Sequence, residues 1–95
     1  MAGYLIAHLD VTDPEGFEAY RAKVPAVIAQ YGGRYLIRGG AVEAVEGDWT
    51  VPRLVVLAFD SVALAHRFYD SPEYQAILPL RLNASKGTVV FAEGV

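Results

Sequence analysis

The stretch Arg53-Leu54-Val55-Val56-Leu57-Ala58-Phe59-Asp60 decides how this chain folds. Side chains alternate between the two faces of a strand, and here both sets are apolar: Leu54, Val56 and Ala58 on one face, Val55, Leu57 and Phe59 on the other. Such a strand needs cover on both sides. The pattern returns near the carboxyl end, where Val89 and Phe91 oppose Val90 and Ala92 in a strand expected over Gly87 to Glu93. Tyr4 to Val11 alternates as well, with Leu5, Ala7, Leu9 and Val11 on a dry face and Tyr4, Ile6, His8 and Asp10 on a mixed one.

Helices fill the intervals. At Thr12-Asp13-Pro14-Glu15, the Asp13 carboxylate can cap a helix, Pro14 suits its first position, and Glu15 complements its dipole. Phe17, Tyr20, Val24, Val27, Ile28 and Tyr31 then recur at spacings of three and four until Gly32-Gly33 stops the helix. Pro25 predicts a kink near Arg21 within one helix, because proline forfeits the bond to the carbonyl four residues back. Ser61 caps a second helix carrying Leu64, Ala65, Phe68 and Tyr69. Ser71-Pro72-Glu73 restarts it as a further turn through Tyr74, Ile77 and Leu78 up to Pro79. Between the helices, Arg34 to Glu46 reads as one long strand with a glycine bulge at Gly39-Gly40, followed by a hairpin connection over Gly47-Asp48-Trp49-Thr50-Val51-Pro52.

The resulting order, βαββαβ, predicts a ferredoxin-like α+β domain: a four-stranded antiparallel sheet with its helices on one face. Helix is available for that face alone, so the doubly apolar strands must meet a second copy of the chain on the other, most simply about a two-fold axis. A homodimer through the sheet faces is therefore expected. A hydrophobic content of 54% in 95 residues points the same way, being high for a soluble domain with so much surface for its volume. No linker, repeat or low-complexity stretch divides the chain, which reads as one domain over residues 1–95.

Composition removes several classes of function. The chain has no cysteine, which excludes disulfides, thiolate catalysis and zinc-thiolate sites. A net charge of −3 without a basic stripe makes nucleic acid an unexpected partner. No apolar run reaches the length of a membrane span, and Met1-Ala2-Gly3-Tyr4 has no basic head, so the chain reads as soluble and cytoplasmic. No histidine pair stands at metal-binding spacing, and no nucleophile elbow, phosphate loop or dinucleotide fingerprint occurs; neither metal nor cofactor is expected.

Candidate chemistry concentrates in the hairpin region, where Arg34, Arg38, Glu43, Glu46, Asp48 and Arg53 surround the only tryptophan, Trp49. An aromatic ring beside guanidinium and carboxylate groups suits a small polar or aromatic ligand. Cross-strand Arg and Glu pairs also decorate ordinary hairpins. His8, beside Tyr4 and Asp10, is a candidate acid or base near neutral pH, or else a structural histidine at the dimer interface. Tyr20, Tyr69 and Tyr74 sit at core spacing and can project their hydroxyls into a gap between sheet and helices. Arg81 is a helix-end counter-charge or an anion contact.

Taken together, Asp13-Pro14 with Phe17 and Tyr20, Gly32-Gly33, Arg38-Gly39-Gly40, Glu46-Gly47-Asp48-Trp49, the strand Arg53 to Phe59, and Phe68-Tyr69-Asp70-Ser71-Pro72-Glu73-Tyr74 resemble domain-of-unknown-function family 1330, within the dimeric α+β barrel superfamily. The resemblance covers essentially the whole chain. It implies a ferredoxin-like protomer whose sheet closes a barrel with its mate. The wider relatives include cofactor-independent monooxygenases, isomerases of small lactones and haem enzymes that use a pocket between sheet and helices. The expectation is a small-molecule-binding protein or cofactor-independent enzyme for a compact anionic or aromatic metabolite. In it, Arg38 fixes an acidic group, Glu46 and His8 manage protons, and Trp49 with Tyr69 or Tyr74 encloses the ligand. The rival is a non-enzymatic homodimeric regulatory or stress-related module.

Overall fold

The structure is a computed structural model that describes residues 1–50 and 52–95; Val51, in the expected hairpin connection, lies outside the described residues. Its elements are β1 (Gly3–Val11), α1 (Pro14–Gln30), β2 (Arg34–Arg38), β3 (Arg53–Phe59), α2 (Val62–Asp70), α3 (Pro72–Ala84) and β4 (Ser85–Glu93). They form an antiparallel sheet of order β2-β3-β1-β4, the ferredoxin-like arrangement.

Local chemistry sets the element ends. Asp13 accepts a hydrogen bond from the Gly16 amide at 3.2 Å, and Ser61 accepts one from Leu64 at 3.1 Å. Ser71 is the joint between α2 and α3: its hydroxyl donates to the Phe68 carbonyl at 2.7 Å and accepts from the Tyr74 amide at 3.1 Å. At the end of α1, Gly32 takes a φ of 77° while the Gly33 amide reaches back to the Ile28 carbonyl at 2.9 Å, the left-handed stop that glycine permits.

Three expectations are corrected. β2 ends at Arg38 instead of running to Glu46, and residues 39–50 are irregular and largely exposed. The bulge lies not at Gly39-Gly40 but between Tyr35 and Ile37, with Leu36 the extra residue. α3 likewise continues through Pro79 to Ala84. Proline removes one backbone bond there, but the turn beyond it buries Arg81 and Ala84, and that burial carries the helix on. α1 runs as a single helix through Pro25.

The core lies between the sheet and the helices, where Leu5, Ala7, Leu9, Leu57 and Phe59 meet Phe17, Val24, Ile28, Phe68, Tyr74 and Ile77. The opposite face carries an apolar row crossing all four strands, in which Ile37 pairs with Val56, Val56 with Ile6, and Ile6 with Val90. Val90 is 45% exposed and Ile37 38%. Flanking rows hold Leu54, His8 and Thr88 on one side and Arg34, Ala58, Tyr4 and Ala92 on the other.

Candidate functional site

A cavity of about 40 Å³ opens between the sheet and α1 and α3. Its apolar walls are Leu5, Ala7, Leu9, Val55 and Leu57 from the sheet and Phe17, Val24, Ile28 and Phe68 from the helices. The polar groups set among them are unusually one-sided: Arg21, Arg38, Arg53 and Arg81, with Tyr20, Tyr35 and Tyr74, and no carboxylate.

Strand register explains the arginines. Arg53 shares its face with Val55 and Leu57, so simple alternation carries it in. Arg38 needs the bulge. Residues three apart in a regular strand point to opposite faces, yet with Leu36 looped out Tyr35 pairs with Leu57 and Arg38 with Val55, and both turn toward the helices. The Arg38 guanidinium then lies 4.6 Å from the centre of the Tyr35 ring, and that of Arg53 lies 5.4 Å from the Phe17 ring. Aromatic faces, not carboxylates, hold these cations. Gly39, beside the Arg53 guanidinium, takes a φ of 73°, a left-handed backbone conformation that residues with a Cβ rarely adopt.

At the inner end, the Tyr20 and Tyr74 hydroxyls share a hydrogen bond of 2.9 Å, and Arg81 Nε donates to the Tyr74 hydroxyl at 3.3 Å. Arg81 is only 7% exposed. Burial, the neighbouring Tyr74, and the hydrogen bond between them push the Tyr20 phenol well above its ordinary pKa of 10.0. Burial, followed by the positive charge of Arg21, lowers the pKa of Arg53.

The raised Tyr20 value fixes a sign for alkaline stability. The unfolded chain releases that proton near pH 10.0 while the fold retains it, so this stabilisation is complete below the ordinary tyrosine range and is lost as pH rises beyond it. Tyr20→Phe is therefore expected to flatten the fall in melting temperature above pH 10.0, measured by circular dichroism from neutral to alkaline pH. An identical fall in both proteins would contradict the assignment.

Of the residues expected from sequence, Tyr20, Arg38, Tyr74 and Arg81 meet in this cavity. Tyr69 does not line it but packs behind Tyr74, ring centres 5.2 Å apart. His8 and Trp49 meet each other edge-on at 5.8 Å on the helix-free side, across the sheet from Arg38, and Glu46 stands exposed in the irregular segment. The sheet thus divides the expected constellation in two. Arg21 and Tyr35 complete the cavity without having been singled out, and Arg53, counted only among the charges of the hairpin region, joins them. Alternation from Val55 was the available signal for Arg53, and a four-residue step from Phe17 was the signal for Arg21. Among the described residues, no group of three His, Asp or Glu side chains converges as a metal site, and no helix is long and apolar enough to cross a membrane.

The chain matches the family described as "Domain of unknown function (DUF1330)" over residues 2–95. It belongs to that family. No curated protein matches this DUF1330 chain. Among solved structures it is similar to a protein of unknown function from Rhodopseudomonas palustris, with a TM-score of 0.77, 16% identity, and coverage of 99% of this chain and 82% of that one. A putative antibiotic biosynthesis monooxygenase from Nitrosomonas europaea follows at a TM-score of 0.64 and 14% identity, covering 99% and 90%. An uncharacterized NIPSNAP domain protein from Burkholderia xenovorans gives 0.57 and 20%, covering 99% and 93%. At these identities the likeness is one of fold, the ferredoxin-like α+β arrangement that the DUF1330 chain shares with the antibiotic biosynthesis monooxygenase structures.

Proposed function

We propose that this DUF1330 protein binds a compact anionic or aromatic metabolite in the cavity between sheet and helices, as a binding protein or as an enzyme that works without a cofactor. One observation carries the reading: four arginines line the cavity, no acid does, and among the described residues the one arginine–carboxylate pair is Arg21 with Glu18, at 2.6 Å. Guanidinium groups held on aromatic rings keep their donors available for a ligand carboxylate. The likeness to a putative monooxygenase fold is in keeping with a small-molecule site here. His8 and Trp49, on the far face, belong to the proposed dimer contact and not to this cavity. A cytoplasmic setting is part of the same proposal, since the domain folds without a cysteine to cross-link it.

The test is a thermal-shift screen of small carboxylates. An anion present at one hundred times its dissociation constant stabilises the fold by about 2.7 kcal/mol. Arg38→Met and Arg53→Met are expected to abolish that rise. They should also raise the melting temperature of the ligand-free protein by about 2–4 °C, because relief of like-charge crowding is worth about 0.5 kcal/mol. Ligand shifts that persist in both variants would place the binding site elsewhere.

The homodimer belongs to this proposal too. The row Ile37, Val56, Ile6 and Val90 gives the helix-free face a continuous apolar band suited to a second copy.

A further inference from the structure

Hydrogen-bond accounting in the cavity narrows the ligand further, an inference that rests on the binding reading above. Arginine offers donors only, five per side chain, whereas a neutral phenol brings one hydrogen and acceptor lone pairs. The two hydroxyls of Tyr20 and Tyr74 bring two hydrogens to one mutual bond, so whichever donates, the other's hydrogen is left over. The Tyr74 oxygen is already engaged by Arg81 Nε, and the Arg81 guanidinium makes no other hydrogen bond among the described residues. At the rim, Arg53 Nε is buried with no partner. Donors are thus in surplus at both ends of the cavity, the outer Arg38–Arg53 end, where among the described residues Arg21 alone is paired, with Glu18, and the buried Arg81–Tyr74–Tyr20 end, with apolar wall between and no carboxylate in the lining. A buried cation without an anion is costly, and a surplus phenolic hydrogen beside it adds to the demand for an acceptor.

We infer that the cavity selects a compact dianion, one carboxylate at the arginine rim and a second anionic oxygen group received by Arg81 with the Tyr20–Tyr74 hydroxyls. Arg38 and Arg53 set general affinity for carboxylates. The inner trio reads the far end of the molecule. A monoanion of the same shape leaves that trio facing a methyl group and loses a charge-assisted bond.

Matched pairs test this by calorimetric titration of the whole protein: fumarate against crotonate, and terephthalate against 4-methylbenzoate, each pair differing in one terminal carboxylate replaced by methyl. The dianion of at least one pair is expected to bind about 10–100-fold more tightly than its partner. Generic attraction of double charge to the rim would give some preference, so the inner end is tested separately. Arg81→Met, and a Tyr20→Phe/Tyr74→Phe double variant that keeps the ring packing should Arg81→Met not fold, are expected to reduce the ratio to about threefold or less, the dianion losing more affinity than the monoanion. Equal binding within both pairs, or a dianion preference untouched in the folded variants, would overturn the two-ended assignment and leave the binding reading intact. Binding of no acid in either pair would overturn both.

Discussion

Truncation of Phe68 to alanine is expected to lower the unfolding free energy by about 3–5 kcal/mol, the cost of deleting a buried phenyl ring. Phe68 is 1% exposed and lies at the centre of an aromatic group, its ring 4.7 Å from that of Tyr74 and 5.4 Å from that of Phe59. It also forms part of the cavity wall, so neighbours have little freedom to collapse into the vacated space. A domain of this size has a total stability of roughly 5–14 kcal/mol, which makes the loss a large fraction of the whole. Urea titrations of parent and variant at one protein concentration measure it, the midpoint falling with the slope unchanged. A loss below about 1 kcal/mol would mean that the cavity closes over the gap, contrary to the packing described.

Ile6→Asp is expected to convert the proposed dimer into a monomer. Ile6 is the inner member of the cross-sheet row, flanked by Val56 and Val90. About a two-fold axis the substitution enters the interface twice, and each uncompensated buried carboxylate costs several kcal/mol. Its side chain faces away from the helices, so the protomer core is left untouched and far-ultraviolet circular dichroism should be unchanged. Sedimentation velocity at micromolar concentration should give twice the 10.3 kDa chain mass for the parent and the chain mass for the variant. A parent that sediments as a single chain would refute the dimer outright.

The residues that announced themselves in sequence did so through local chemistry. Asp13-Pro14, Ser61 and Ser71-Pro72 cap helices wherever they stand, and the doubly apolar run from Leu54 to Phe59 has few options besides a covered strand. The failures share a different origin, the availability of partners. Ala41 to Glu46 has strand-like composition, yet β3 begins only at Arg53, two residues before the partner of Arg38, so a β2 running on to Glu46 would have no strand opposite it. Pro79 reads as a stop until tertiary burial of Arg81 and Ala84 is known. The site suffered most from the bulge. Arg34-Tyr35-Leu36-Ile37-Arg38 contains no glycine to betray it, so Arg38 could be nominated but neither its face nor its companionship with Tyr35 could be read. His8 and Trp49 were expected at one site with Arg38, but the sheet that separates them from it becomes visible only in the register.

The same bulge changes what kind of mutation can rewrite this cavity. With Leu36 present, Tyr35 and Arg38 look inward and Ile37 outward. Were the strand to straighten with all five residues kept, strict alternation beyond Tyr35 would send the guanidinium to the oily face and leave the wall with a different occupant. The wall's charge is therefore written in the spacing of β2 as much as in its letters. Among descendants of such a chain, a one-codon deletion at Leu36 would erase the bulge and still leave Arg38 facing the cavity, where the same loss in a regular strand would turn every later side chain over.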